Sequence, residues 1–468
     1  MALTRRQFIT RTGLAAAGSF LSPSIFRNPF LRRALADTIG DRFFIVIFLD
    51  GGNDGLNTVT PVANGTFGNL RTAYTAARPT GSAGSLQLLP ADLAATTIGN
   101  CPSTHTPLAL HPGFSGLKHL YDLGKVAVIQ GVGYPDYSLS HEIARRSWQS
   151  GIPNGFTAGW VGRYLAANYS GSDIPALNVT YDIAGEFQTT ATSVLAIRRL
   201  ADFGFPYDNF SSADAAAKKA CFQALYNSAK GAAQPPTLQF EGDAGTATLA
   251  ATDSYPPLDD LYTTARKPFS DAYDALGTST ASDLREIAKV IYGVNKHVTG
   301  VNARFFELRN GGYDTHSNQG AADPNGQHYG LHKELGDALK TFYDDITDMG
   351  VANKVGVMVW SEFSRRIQQN DSGTDHGSQG PVFVIGGAVT GGVYGAHPNI
   401  NDAALNDDGN TVYSQAVGDP YRSTDLRDVY GTILAKWLNM PDPLAVLPVD
   451  SGDPALYWTS PNFNLGFL

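Results

Sequence analysis

The chain is poor in cysteine: 468 residues hold two, Cys101 and Cys221. No C-x-x-C occurs, which leaves a zinc ribbon, a thioredoxin-type site and c-type haem attachment unsupported. Long apolar runs are also missing. Beyond the N-terminal segment, nothing reaches about 18 unbroken apolar residues, so no membrane span is expected and the mature protein is read as soluble. Charge is sparse, at 16% Asp, Glu, Lys and Arg, and it is not basic. A net charge of -9 argues against a general nucleic-acid binder and against binding to anionic membranes. Neither G-x-G-x-x-G nor a Walker lysine follows any Gly-rich loop, so a nucleotide site is poorly supported. No internal repeat is visible.

The first 36 residues read as an export signal. LTRRQFIT carries the pair Arg5-Arg6 followed by Phe8, GLAAAGSFL is a short apolar middle, and Ala34-Leu35-Ala36 forms an A-x-A site before Asp37. Twin arginines point to the Tat machinery as a partner, and so to a periplasmic or secreted location. An ordinary basic helix is the plainer alternative. In an oxidising compartment Cys101 and Cys221 would be free to pair or to remain two thiols, and sequence leaves this open.

From Asp37 to Leu468 the pattern is strands alternating with helices. RFFIVIFLD, KVAVIQGVG, the start of ARFFELRNGGYDTHSNQG, and KVGVMVW are continuous apolar runs that stop at polar loops, as buried parallel strands do. PALNVTYD reads as a further strand, and PVFVIGG with GGVYGA as a β-pair. HEIARRSWQ, HYGLHKELGDALKTFYDDITDMG and DLRDVYGTILAKWL read as helices. Residues 202–297 hold several helical patterns around a Pro/Gly/Thr-rich connector, and are read as a helical insertion. The expected fold is α/β, a mostly parallel central sheet flanked by helices.

Ligands bind such sheets outside the carboxyl ends of the strands. Residues just past the proposed strands are Asp50, Asn53 and Asp54, then Ser140 and His141, then Asp314 and His316, then Glu362, with Asp375 and His376 further on. Acid and imidazole groups of this kind suit divalent cations. Asp314 and His316, two apart in an extended loop, can face one side. Glu362 ends a buried strand, where a carboxylate needs a metal or a partner such as Arg365 or Arg366. Those arginines also suit a phosphate or sulfate oxyanion. Ser140 stands at a loop-to-helix junction, either as a plain N-cap or as a nucleophile activated by a metal or by His141. His328 and His332 lie four apart on a helix, a chelating spacing, yet their flanks read as a solvated face.

Taken in order, the twin arginines, FLDGGNDGLNTVTP, YSLSHE, GGYDTHSNQG, SEFSRR and GTDHG resemble the exported bacterial family called domain of unknown function 1501, placed in the alkaline phosphatase and sulfatase superfamily. The resemblance implies a single alkaline-phosphatase-like α/β domain over 37–468 and one or two divalent metals, zinc foremost. It implies Ser140 as nucleophile, with His141 and Arg365 beside it. The metal ligands would come from Asp54 (or Asp50), Asp314, His316, Glu362, Asp375 and His376. The superfamily's Asp-His pair normally follows its strand directly, and here Glu362 holds that place. A separate C-terminal histidine would have to be His397. No C-x-P-x-R is present, so a formylglycine sulfatase is not expected. The implied activity is hydrolysis of a phosphate or sulfate ester, on a small molecule or a polysaccharide. The alternative is a non-catalytic envelope binding or assembly protein on the same fold.

Overall fold

The computed structural model describes residues 40–80, 84–169, 171, 173–205, 212–398, 400, 419–420, 422–447, 458 and 461–468. The export-signal expectation for residues 1–36 falls outside them. Twelve strands are described: β1 Phe43–Asp50, β2 Val59–Pro61, β3 Thr97–Asn100, β4 Pro107–Leu110, β5 Val126–Gly133, β6 Ala176–Asn178, β7 Val194–Ala196, β8 Phe305–Gly311, β9 Val355–Ser361, β10 Gly380–Gly386, β11 Gly392–Tyr394 and β12 Thr424–Asp425. Nine of them form one sheet, in the order β11-β5-β10-β9-β1-β8-β6-β7 with β12 also paired to β5. Strands β2, β4 and β3 make a small separate antiparallel sheet.

The large sheet is mostly parallel. Strand β1 pairs in parallel with β8 and β9, β6 with β8 and β7, and β5 with β11 and β12. Strand β10 runs against both β5 and β9. β10 and β11 were expected to pair with each other. Instead β5 separates them, because the chain turns past the edge of β5 before adding β11.

Alternation along β1 explains why its run is apolar throughout. Phe43, Ile45, Ile47 and Leu49 enter one core, while Phe44, Val46 and Phe48 enter the other. The helices that matter here are α1 Gly55–Thr58, α2 Ser115–Asp122, α3 His141–Ser150, α4 Trp160–Asn168, α5 Ser212–Ala229, α6 Pro236–Ser254, α7 Pro257–Ala265, α8 Lys267–Leu276, α9 Ser279–Asn295, α10 Gln327–Asp348 and α11 Leu426–Thr432. Residues of α2, α9 and α10 cover the first face; residues of α3, α4 and α11 cover the second. On that second face Trp148 of α3 stacks on Trp360 of β9, at 5.1 Å between ring centroids, and Trp360 stacks on Phe48 at 4.6 Å.

Between β7 and β8 the described chain is helical, from α5 through α9. Its last helix is no outlying cap: Leu284, Ile287, Val290 and Ile291 of α9 are fully buried in the main core. Cys101 is buried, Cys221 is exposed on α5, and both are free thiols.

Candidate metal centre

Register sets the site. Asp50 of β1 pairs with Gly311 of β8, and Leu49 with Ser361 of β9, so three strands end level. The segments that follow, 51–54, 312–316 and 362–366, therefore emerge together. Strand β10 is reversed, so it enters the sheet at this same edge, with Gly380 opposite Val132 near the end of β5. The residues before β10, including Asp375 and His376, are thus delivered to the same edge as residues that follow the parallel strands. Backbone bonds lock them there: Arg366 N–H donates to Asp375 O at 2.9 Å, and Gly377 N–H to Ser364 O at 2.8 Å. The loop after β5 returns through Leu139 and Ser140 into α3, whose first residue is His141.

Three histidines face the Asp314 carboxylate. Asp314 Oδ1 lies 3.1 Å from His316 Nε2 and 3.2 Å from His376 Nε2, and those two nitrogens are 3.0 Å apart. Asp314 Oδ2 lies 3.6 Å from His141 Nε2. Each ring has its other nitrogen at an acceptor. His376 Nδ1 is 2.8 Å from Leu139 O, His141 Nδ1 is 2.8 Å from Glu362 Oε1, and His316 Nδ1 is 3.4 Å from Asp375 Oδ1. A carbonyl or carboxylate only accepts, so each Nδ1 is placed to carry a proton, and a neutral ring then leaves its Nε2 with a lone pair. Lone pairs and a carboxylate oxygen at such separations repel unless a proton or a metal cation stands among them. A tetrahedral zinc with donors about 2.0–2.1 Å away separates them by about 3.3–3.4 Å, close to the observed triangle. Nδ1 tied to a carboxylate or carbonyl is also how ligating histidines are held.

The charge states of Asp314 and His376 fit. Burial raises the Asp314 pKa, but the Arg365 hydrogen bond and charge outweigh it and hold the carboxyl below its ordinary value. Burial, with the Arg365 charge, lowers His376 and favours the neutral ring. His141 runs the other way: the hydrogen bond to Glu362 raises it and favours the charged ring, so a cation would have to displace the proton from its Nε2. Asp314 and His316 are each 47% exposed at the side chain, so the cluster opens to solvent on one side.

Glu362 stands one step behind these groups. Its Oε1 accepts from Gly51 N–H at 2.9 Å as well as from His141. Its Oε2 accepts from Gly52 N–H at 3.1 Å and Ser361 Oγ at 3.0 Å. Those amides reach it because Gly51 and Gly52 take φ of 122° and 76°. A Cβ on Gly51 would come 2.3 Å from the Asp314 backbone nitrogen.

Arg365, expected to meet substrate, is fully buried. Its guanidinium donates to the carbonyls of Gly51, Gly52, Tyr313 and Thr374 and to Asp314 Oδ1. It clamps three site loops together and has no exposed donor for an oxyanion. Asp54 does not join the cluster. It is fully buried, forms a two-point pair with Arg78, and accepts from Gln319 Nε2 at 2.6 Å while capping α1. Asp50 is paired to Arg309, and Asp375 stands behind His316. Ser140 is exposed at the N-terminus of α3, and its hydroxyl does not cap the helix. His397 is buried elsewhere, with Nδ1 2.9 Å from Pro398 O.

His328 and His332 are not on a solvated face: both are fully buried beside His111, which sequence reasoning missed. The three also bring ligand-type nitrogens within 4.8 Å of one another. Several are already committed. His111 Nδ1 accepts from Gly113 N–H, its Nε2 donates to Ala321 O, and His328 Nε2 donates to Asn53 Oδ1. The His111 and His332 rings stack at 18°, so their in-plane lone pairs run side by side and do not meet on one ion. Burial lowers His111 to about 4 and the other two well below the ordinary value. These neutral rings pack behind Asn53 and Thr58 and shore up the loop that carries Gly51 and Gly52.

No curated protein matches the chain at a significant level. A solved protein of the alkaline phosphatase superfamily from Vibrio parahaemolyticus aligns over 91% of this chain and 78% of its own, at 11% identity and a TM-score of 0.32. The family model described as "Protein of unknown function (DUF1501)" matches residues 120–415, well over half of the sequence, and the chain belongs to that family.

Proposed function

We propose that this protein is an exported, metal-dependent hydrolase of phosphate or sulfate esters, with Asp314, His316, His376 and His141 as the ligand set. The carrying observation is the convergence of three Nε2 atoms, each with Nδ1 at an acceptor, on one carboxylate. Imidazole and carboxylate together suit zinc. A bound divalent cation supplies Lewis-acid polarisation of an ester oxygen and lowers the pKa of a nearby hydroxyl.

The chain's own groups do the rest. Glu362 keeps the His141 proton on Nδ1. Leu139 O does the same for His376, and so ties the loop before Ser140 to the cluster. Arg365 holds the loops of β1, β8 and β9 in one arrangement and keeps Asp314 ionised. Ser140, exposed one residue before His141, is the nucleophile in this reading. The start of a three-turn helix lies behind it and favours an incoming anion.

The test is metal content by mass spectrometry of protein refilled with zinc, together with phosphate- and sulfate-ester panels on wild type and Ser140→Ala. Expected are bound metal in both and, in the variant, a rate at least about 100-fold lower. Absence of metal after refilling, or full activity in Ser140→Ala, rejects the corresponding half of the proposal.

A further inference from the structure

Beside the metal centre, on the second face of the sheet, lies a cleft of about 230 Å³. Arg145 lines it, one turn after His141 on α3, and is therefore displaced from it by about 6 Å along the helix axis. Arg309 and Glu307 of β8, Gln149 of α3 and Phe156 also line it.

The charges are unequal in freedom. Arg309 pairs with Asp50, and Arg146 at the rim pairs with Glu142 at 2.9 Å. The rim also carries one exposed acid, Asp182. Arg145 is half-buried and has no ion pair among the described residues. Glu307 is 3% exposed, and among the described residues its side chain's one hydrogen bond is a long one, 3.4 Å from Asn178 Nδ2. Behind it Glu186 is 1% exposed, with Gln149 and Arg145 as its nearest polar neighbours. Burial, then Glu186, pushes Glu307 well above the usual carboxyl range, which favours its neutral form at the cleft wall.

A guanidinium without an ion pair among the described residues, a buried carboxyl whose side chain makes one long hydrogen bond, an amide and one half-buried aromatic face match a ring that is apolar on its face, hydroxylated at its edge and anionic at one substituent. We infer that this cleft binds an acidic sugar, one carrying a carboxylate, sulfate or phosphate, and that acidic carbohydrate esters are the substrate class of the neighbouring centre. The second half rests on the hydrolase reading; the binding does not.

The probes are hexagalacturonate, a sulfated chondroitin hexasaccharide and neutral cellohexaose, titrated by calorimetry onto zinc-loaded and chelator-treated protein. Expected is binding of at least one acidic probe about tenfold or more tighter than cellohexaose, with or without zinc. Arg145→Gln abolishes that preference, and Arg145→Lys keeps part of it. The two acidic probes separate carboxylate from sulfate recognition. Circular dichroism confirms that the variants are folded. No binding of any probe, equal binding of acidic and neutral probes, or unchanged preference in folded Arg145→Gln overturns the inference. Acidic-probe binding that needs Arg145, without turnover of any acidic sugar ester, upholds the cleft and overturns the substrate-class half of the inference; the hydrolase reading itself falls only if the whole phosphate- and sulfate-ester panel is inert.

Discussion

Replacing Glu362 with Gln isolates the outer partner of His141 from the ligands themselves. The carboxylate accepts four hydrogen bonds, from Gly51, Gly52, Ser361 and His141. A glutamine keeps one accepting oxygen. If that oxygen serves Gly51 and His141, the amide nitrogen faces Gly52 N–H, a buried donor left without an acceptor, at a cost of about 1–3 kcal/mol in fold stability. If the amide nitrogen faces His141 instead, Nδ1 must become the acceptor, the proton moves to Nε2, and the lone pair aimed at the Asp314 side is gone. The loss of an outer carboxylate typically weakens metal binding about 10–100-fold, or about 1.4–2.8 kcal/mol. The assay is a zinc dissociation constant from competition with a chromogenic chelator, with circular dichroism to confirm folding. His141→Ala, which removes the ring outright, should weaken zinc at least as much. A folded Glu362→Gln protein that binds zinc within twofold of wild type would refute the claim that Glu362 prepares His141 as a ligand.

Zinc should raise the melting temperature of wild type, by about 2.7 kcal/mol of added stability at one hundred times its dissociation constant, and Asp314→Asn or His376→Ala should erase that rise in a thermal scan. Asp54→Asn should cost about 3–5 kcal/mol in urea unfolding, because it leaves the buried Arg78 guanidinium without its counter-charge. The Asp54 carboxyl is harder to protonate folded than unfolded: burial opposes this, and Arg78 with its hydrogen bonds outweighs burial. Its contribution is therefore complete above an unfolded value of about 3.9 and is lost as pH falls through the lower folded value, so the variant should lose less stability than wild type over that acid range. Gly51→Ala should destabilise the protein and weaken zinc together, since the new methyl meets the Asp314 backbone at 2.3 Å; normal zinc affinity there would show that the loop has room to move.

The parallel strands were legible because each is buried on both faces and so reads as an unbroken apolar run, as in β1 and β9. β6 falls inside the PALNVTYD run read as a strand, whereas β7, three residues long, is too short for periodicity to mark. The Asp-His pair looked misplaced because the sequence does not state that β10 is reversed; once it is, the residues before it occupy the edge that other strands reach at their ends. Arg365 and Asp54 were read by chemistry alone, and both turned out to be consumed by neighbours remote in sequence. Helix α10 misled in the other direction. Charged Lys333 and Glu334 flank His332, but a helix buried along one stripe places them on its other sides.

The reversed strand also sets the order in which the centre can come into being. Its histidines span positions 141 to 376, and the last of them precedes a strand wedged between two that are already paired to others or waiting for it. A nascent polypeptide that has emerged only as far as β9 possesses Asp314 and His316 but has nothing to bring His376 opposite them. In the proposed reading, cation uptake would report that the centre of the sheet has closed, and a chain truncated before Gly380 should fail to load zinc however much helix it has formed.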